Sequence, residues 1–119
     1  MLSAQHRLRD SADFASTVRG RSAVRAGSPL LVVHANQTDA RAAQPPRVGL
    51  VVSKAVGGAV QRNRTKRRLR HALRDRVGQL PAGVDVVVRA NPPAGTADYG
   101  TLGAELDRLL ARTLAKVAR

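Results

Sequence analysis

Residues 61–74 read QRNRTKRRLRHALR; seven of the fourteen are Arg or Lys, and no acid appears before Asp75. Like charges three or four residues apart on a helix repel. Such a segment can be helical only where an apolar stripe docks it on another part of the fold. At about 100° per residue, Thr65, Leu69, Ala72, Leu73 and Val77 share one arc and supply that stripe. Asn63, Arg67, Arg70 and Arg74 stack on a neighbouring stripe, with Arg64, Arg68 and His71 on a second polar one beside it. Strict helical angles place Arg62 near the packing side, so it is expected to project from the first turn. The fold must therefore offer an apolar layer to one side of a helix whose remaining surface is nearly all cationic.

The layer has to be aliphatic. Phe14 and Tyr99 are the only aromatics of the 119 residues, and Trp and Cys are absent. A chain of this length is expected to form one domain, 1–119, and can bury roughly two-thirds of its unfolded surface without disulfides or metal staples. The lack of cysteine suits a reducing compartment. The N-terminal MLSAQHRLRD has no apolar signal-peptide core. No apolar run approaches the roughly 18 residues of a membrane span, so a soluble cytoplasmic protein is expected.

Turn and cap residues divide the chain into αβββαβα. Ser11 is a candidate cap for a helix over 12–20, with Asp13 in the first turn and Phe14, Ala15 and Val18 as its apolar side. Two short strands are predicted at 22–25 and 30–35 around the turn-forming AGSP, then an exposed polar loop at 36–46. RVGLVVS at 47–53 reads as a buried strand, broken by the glycines of KAVGGAV before the basic helix over 59–77. VDVVVRA at 84–90 is a further strand. A last helix over 99–118 lines up Leu102, Leu106, Leu109, Leu110, Leu114 and Val117.

The formal net charge is +13, and residues 62–76 carry eight bases against one acid, over half of the surplus. A solvated helix face would intersperse acids to relieve its repulsion, and a membrane-surface helix would carry Trp or Phe on its apolar side. The pattern fits a polyanion better. Each neutralised phosphate releases condensed counterions, and the guanidinium fork grips phosphate oxygens bidentately. Eight acids, Asp10, Asp13, Asp39, Asp75, Asp85, Asp98, Glu105 and Asp107, are scattered without a pairing that suits two-metal hydrolysis. His6, His34 and His71 fall in no metal motif. Gly57 and Gly58 read as a strand-to-helix turn, not a phosphate cradle. The residues point to binding RNA or DNA without cutting it.

The segments RLRDSADF at 7–14, RVGLVVSKAVGGAVQRNRTKRRLRHAL at 47–73 and the VDVVVRA strand with its following helix resemble the protein subunit of bacterial ribonuclease P. The triplet Arg62–Asn63–Arg64, with VSK upstream and KRRLR downstream, is the most specific part. The resemblance implies an α/β (α+β) two-layer sandwich on a four-stranded mixed sheet, with a left-handed crossover through the basic helix. It implies that an RNA partner is the catalyst, using Mg²⁺ held largely by RNA to release the 5′ leader of precursor tRNA. No cofactor is then expected to be held firmly by the protein. A monomeric protein in a one-to-one complex with the ribonuclease P RNA is expected, without membrane contact.

Carried onto this sequence, the resemblance gives Arg62, Asn63, Arg64, Lys66, Arg67, Arg68 and Arg70 as RNA contacts, to which Arg74 is added from its stripe. The leader cleft takes Phe14, where a base or sugar can stack, together with Arg7, Arg9 and the VSK lysine, Lys54. Phe14 as a core residue is the competing placement. The chain departs from the family pattern in four places. A second aromatic of the first helix is Val18 here. An aromatic of the second strand is replaced by Val32 or Val33, of which Val33 is assigned to the cleft. Ala55 stands where Lys is frequent, and Gly58 where a polar residue is frequent. Weaker stacking and a larger electrostatic share of leader affinity follow. Two further functions stay open at this point. One is a ribosomal or RNA-chaperone module, which would bind structured RNA with no dependence on a leader. The other is a self-sufficient nuclease.

Overall fold

The computed structural model describes residues 4–117. In chain order these form α1 (Ser11–Arg19), β1 (Val24–Gly27), β2 (Leu31–Gln37), β3 (Arg47–Val51), α2 (Ala59–Arg74), β4 (Val84–Ala90) and α3 (Tyr99–Val117), joined by short 3-10 turns. The order is the expected αβββαβα, with Ala118 of the predicted last helix outside the described residues. The strands form one mixed sheet, β1-β2-β4-β3. β1 and β4 flank β2 antiparallel, and β3 runs parallel to β4.

Strand periodicity of two divides the sheet residues between its faces. Leu31, Val33, Ala35, Val48, Val84, Val86, Val88 and Ala90 point to the side where Leu69 and Leu73 of α2 and Leu102, Leu106 and Leu109 of α3 complete the core. At roughly 1.5–3 kcal/mol per fully buried Leu or Val side chain, this layer offsets the repulsion along α2. All five residues of the predicted packing stripe of α2 are buried. α1 crosses the opposite face. Asn36 Nδ2 donates to Ser16 O and Oγ at 3.3 and 3.1 Å, and Thr17 is fully buried there. The sheet with α2 and α3 makes the two layers, and α1 covers only part of the reverse side.

Local chemistry moves several predicted boundaries. The cap of α1 is Asp10, whose Oδ1 accepts from Ala12 N at 2.8 Å, so Ser11 is already helical. β1 begins two residues later than expected and takes in Gly27. The basic helix closes at Arg74, where Asp75 N donates to His71 O, and Val77 lies in the following 3-10 turn. Residues 36–46 are not simply an exposed loop. Asn36 and Gln37 extend β2, and Arg41 folds in to donate to Asp85 Oδ1 at 2.7 Å. Asp85 also receives Arg47 Nε and Nη2 at 2.9 and 2.8 Å, and Arg47 Nη1 reaches Asp13 Oδ2 at 3.0 Å. This chain of ion pairs fastens α1 to β3 and β4; the hydrogen bond to Asp85, above all, holds the Arg47 guanidinium above its ordinary pKa.

Candidate nucleic-acid interface

α2 projects its charge from an anchored base. Asn63, Arg67, Arg70, His71 and Arg74 are exposed, while Arg62, Arg64, Lys66 and Arg68 are half-buried. Among the described residues, none of the cations from Arg62 to Arg70 forms an ion pair, and the nearest carboxylate to Arg74 is that of its neighbour Asp75 at 3.7 Å. Arg64 and Arg68 are held by backbone: Arg64 Nη2 donates to Gly95 O at 3.4 Å and Arg68 Nη1 to Ala97 O at 2.7 Å. Gln61 Nε2 donates to the same Gly95 carbonyl at 3.1 Å. A side chain at 95 would press within 2.5 Å of Val56 O, so the close approach of this turn to the start of α2 requires glycine. The Nε atoms of Arg62 and Arg64 are buried and find no acceptor among the described residues. At the far end, Arg76 donates to Ala72 O, Gly103 O and Asp107, tying the end of α2 to α3.

The second part of the interface lies on the α1 side of the sheet. The chain enters alongside β3: Arg7 bridges Val48, and Leu8 N donates to Val48 O at 2.9 Å, which covers the sheet's outer edge and fixes Arg7 and Arg9 beside it. The Phe14 ring lies over Gly49, where an added Cβ would come within 2.4 Å of Cζ. Phe14 is half-exposed and stands between two adjoining hollows. One is lined by Arg7, Arg9, Val48, Leu50 and Arg70, the other by Arg9, Val18, Arg19, Val51 and Arg89. Among the described residues no acid lines either hollow. Five arginines thus ring one aromatic face, and Arg70 belongs both to this cleft and to the cationic surface of α2.

Of the residues assigned to the cleft from sequence, Arg7, Arg9, Phe14 and Val18 come together there. Lys54 is exposed on the turn between β3 and α2 and lines neither hollow. Val33 does not belong to the cleft. It pairs with Val88 and is fully buried on the α2–α3 side, whereas its neighbour Val32, opposite Arg89, faces the α1 side. The sequence reading passed over Arg19, Arg89 and the cleft position of Arg70. Alternation in VDVVVRA was the available signal for Arg89, since it shares parity with Asp85 and not with the core valines. Among the described residues no group of three or more His, Asp or Glu side chains gathers as a metal site, and no helix is long and apolar enough to cross a membrane.

The model of the family described as Ribonuclease P matches residues 2–114. The ribonuclease P protein component of Streptomyces avermitilis is 56% identical over 126 aligned positions, covering 100% of both chains. That of Nocardioides sp. is 52% identical, covering 98% of both. Among solved structures, the ribonuclease P protein of Staphylococcus aureus superposes with a TM-score of 0.78 at 26% identity, covering 94% of this chain and 96% of that one. The protein from Thermotoga maritima gives 0.74 at 28%, covering 89% and 96%.

Proposed function

The chain belongs to the ribonuclease P protein family, and from that premise we propose how its surfaces serve precursor-tRNA processing. The α2 face from Arg62 to Arg74 binds the ribonuclease P RNA. The cleft around Phe14 binds the single-stranded 5′ leader of precursor tRNA. The RNA partner performs the hydrolysis, and the protein raises its hold on substrate. The observation that carries this reading is Arg70, whose helix face is the RNA-binding stripe and whose side chain walls the leader hollow. Two RNA segments can therefore be held against each other by one rigid element.

The electrostatics support the assignment. Cations without carboxylate partners keep their charge for phosphates, and each phosphate neutralised releases counterions. The exposed guanidiniums of Arg67 and Arg70 present charge-assisted donors to phosphate oxygens. Phe14 offers a stacking face of the kind single-stranded binders use. In this reading Mg²⁺ enters with the RNA. A ribosomal or RNA-chaperone role is not favoured, because neither the family nor the relatives point to it.

Reconstitution tests the proposal: cognate ribonuclease P RNA is assayed on precursor tRNA at low Mg²⁺, with and without the purified chain. Faster cleavage with the chain, and a larger gain for precursors that carry a leader, is expected. A folded chain that gives no enhancement overturns it.

A further inference from the structure

Beyond the Phe14 cleft, at the edge strand β1, lies a third hollow. Its walls include Arg25, Ser28 and Val32 from the sheet region and Arg112 and Lys116 from the last turns of α3. Lys116 Nζ donates to the Arg25 carbonyl, which ties the end of α3 to the strand. Among the described residues no acid lines the hollow, and Arg25, Arg112 and Lys116 form no ion pair. Of the acids of α3, Asp107 is engaged elsewhere by Arg76, while Glu105, paired with Arg108, also hydrogen-bonds Ser28 at the rim of the hollow.

Strand register connects this hollow to the cleft. Val32 pairs with Arg89 on one side and Gly27 on the other, so it lies between the arginine that walls the cleft and the edge strand. Arg25 pairs with His34 on the same face. The buried His34 ring titrates below its ordinary value, chiefly through burial and then through Arg89 and Arg25, so it adds no charge at neutral pH, and both guanidiniums act on that one spot. Arg70, Arg9, Arg89, Arg25 and Lys116 form a cationic succession from α2 across the sheet to its far edge. The third hollow has no aromatic wall, so it can grip a backbone but cannot stack a base.

We propose that this hollow is a distal phosphate site for the same single-stranded RNA that occupies the Phe14 cleft, holding nucleotides further upstream without reading their identity. The inference rests on the cleft being a leader site. It is tested with the full chain and its cognate RNA on precursor tRNAs of graded leader length, comparing wild type with Arg112→Gln/Lys116→Gln. Wild-type affinity should rise with the first leader nucleotides and rise again as the leader grows long enough to cross Arg89. The double variant should keep the first gain and lose the second. For long leaders its salt slope should be shallower by roughly 1.4, at about 0.7 per single-strand phosphate contact. Arg112→Lys/Lys116→Arg should restore the second gain, and thermal melts should show every variant folded, with only a slight lowering where the Lys116 hydrogen bond to the Arg25 carbonyl is lost. If the variant follows wild type at every length, or weakens short and long leaders equally, the distal site is overturned while the cleft stands. If wild type gains nothing from any leader, the functional reading of the cleft fails first.

Discussion

Two clusters of arginines in this protein differ in what lies opposite them. Arg41 and Arg47 share the carboxylate of Asp85, with side-chain exposures of 19%, 20% and 12%, and Arg47 also holds Asp13. Among the described residues, Arg67 and Arg70 stand exposed on α2 with no carboxylate partner. In the first cluster the charge is spent inside the fold, fastening α1, β3 and β4 together. In the second it is left for a partner. The same side chain is structural or functional according to whether the fold supplies its counter-charge, and the acid-free run in the sequence marks where it does not.

The contrast predicts opposite outcomes for stability and for RNA affinity. The largest effect is expected from Asp85→Asn, which leaves two mostly buried guanidiniums without their shared anion. A loss of about 3–5 kcal/mol, measured by urea unfolding, is the scale for breaking a buried pair. A change within about 0.5 kcal/mol, as for an ordinary surface site, would break the comparison. Gly49→Ala comes next. Its new Cβ displaces the tip of the Phe14 ring and should remove most of the leader-dependent gain in affinity, while binding of leaderless substrate persists. Retention of the full gain would place stacking somewhere other than Phe14.

Arg67→Ala should leave unfolding unchanged within about 0.5 kcal/mol and make the salt dependence of RNA binding shallower by roughly 0.7–0.9. An unaltered slope would remove Arg67 from the interface. The smallest effect concerns Asp107, whose carboxyl the hydrogen bond from Arg76 holds below the usual carboxylate range. A folded-state pKa that is depressed gives stability present above the unfolded value and lost as pH falls through the folded one. The melting temperature of Asp107→Asn should therefore lie slightly below that of wild type at neutral pH, and the gap should close in acid. A gap independent of pH would mean that Asp107 does not act as an ion.

Sequence reading succeeded where one face of an element is decided by its own period. The strand at 84–90 and the packing stripe of α2 emerged as predicted, because charges exclude every other face of that helix from the core. It failed where the deciding partner is distant. Val32 and Val33 are chemically identical, and only pairing with β4 determines which of them is core. In α1, Phe14 and Val18 line the cleft as the resemblance implied, whereas the full burial of Thr17 carries no apolar signal in the sequence. Arg41 sits in a polar, proline-bearing stretch that looks like solvent-exposed loop, and its attachment to Asp85 is a contact across 44 residues. The cleft's cationic rim is only partly legible, because Arg19 carries no local mark that distinguishes it from surface charge and Arg89 carries only the parity of its strand.

The way Arg64 and Arg68 are secured has a kinetic consequence. A carbonyl fixes the rotamer of a guanidinium but leaves its full unit of charge, whereas a carboxylate would cancel it. Both side chains are thus pointed before any encounter, and little rotamer entropy is lost on capture. The long-range field that draws in a polyanion is undiminished. Association with RNA should accordingly run fast at low ionic strength and slow steeply as salt is added.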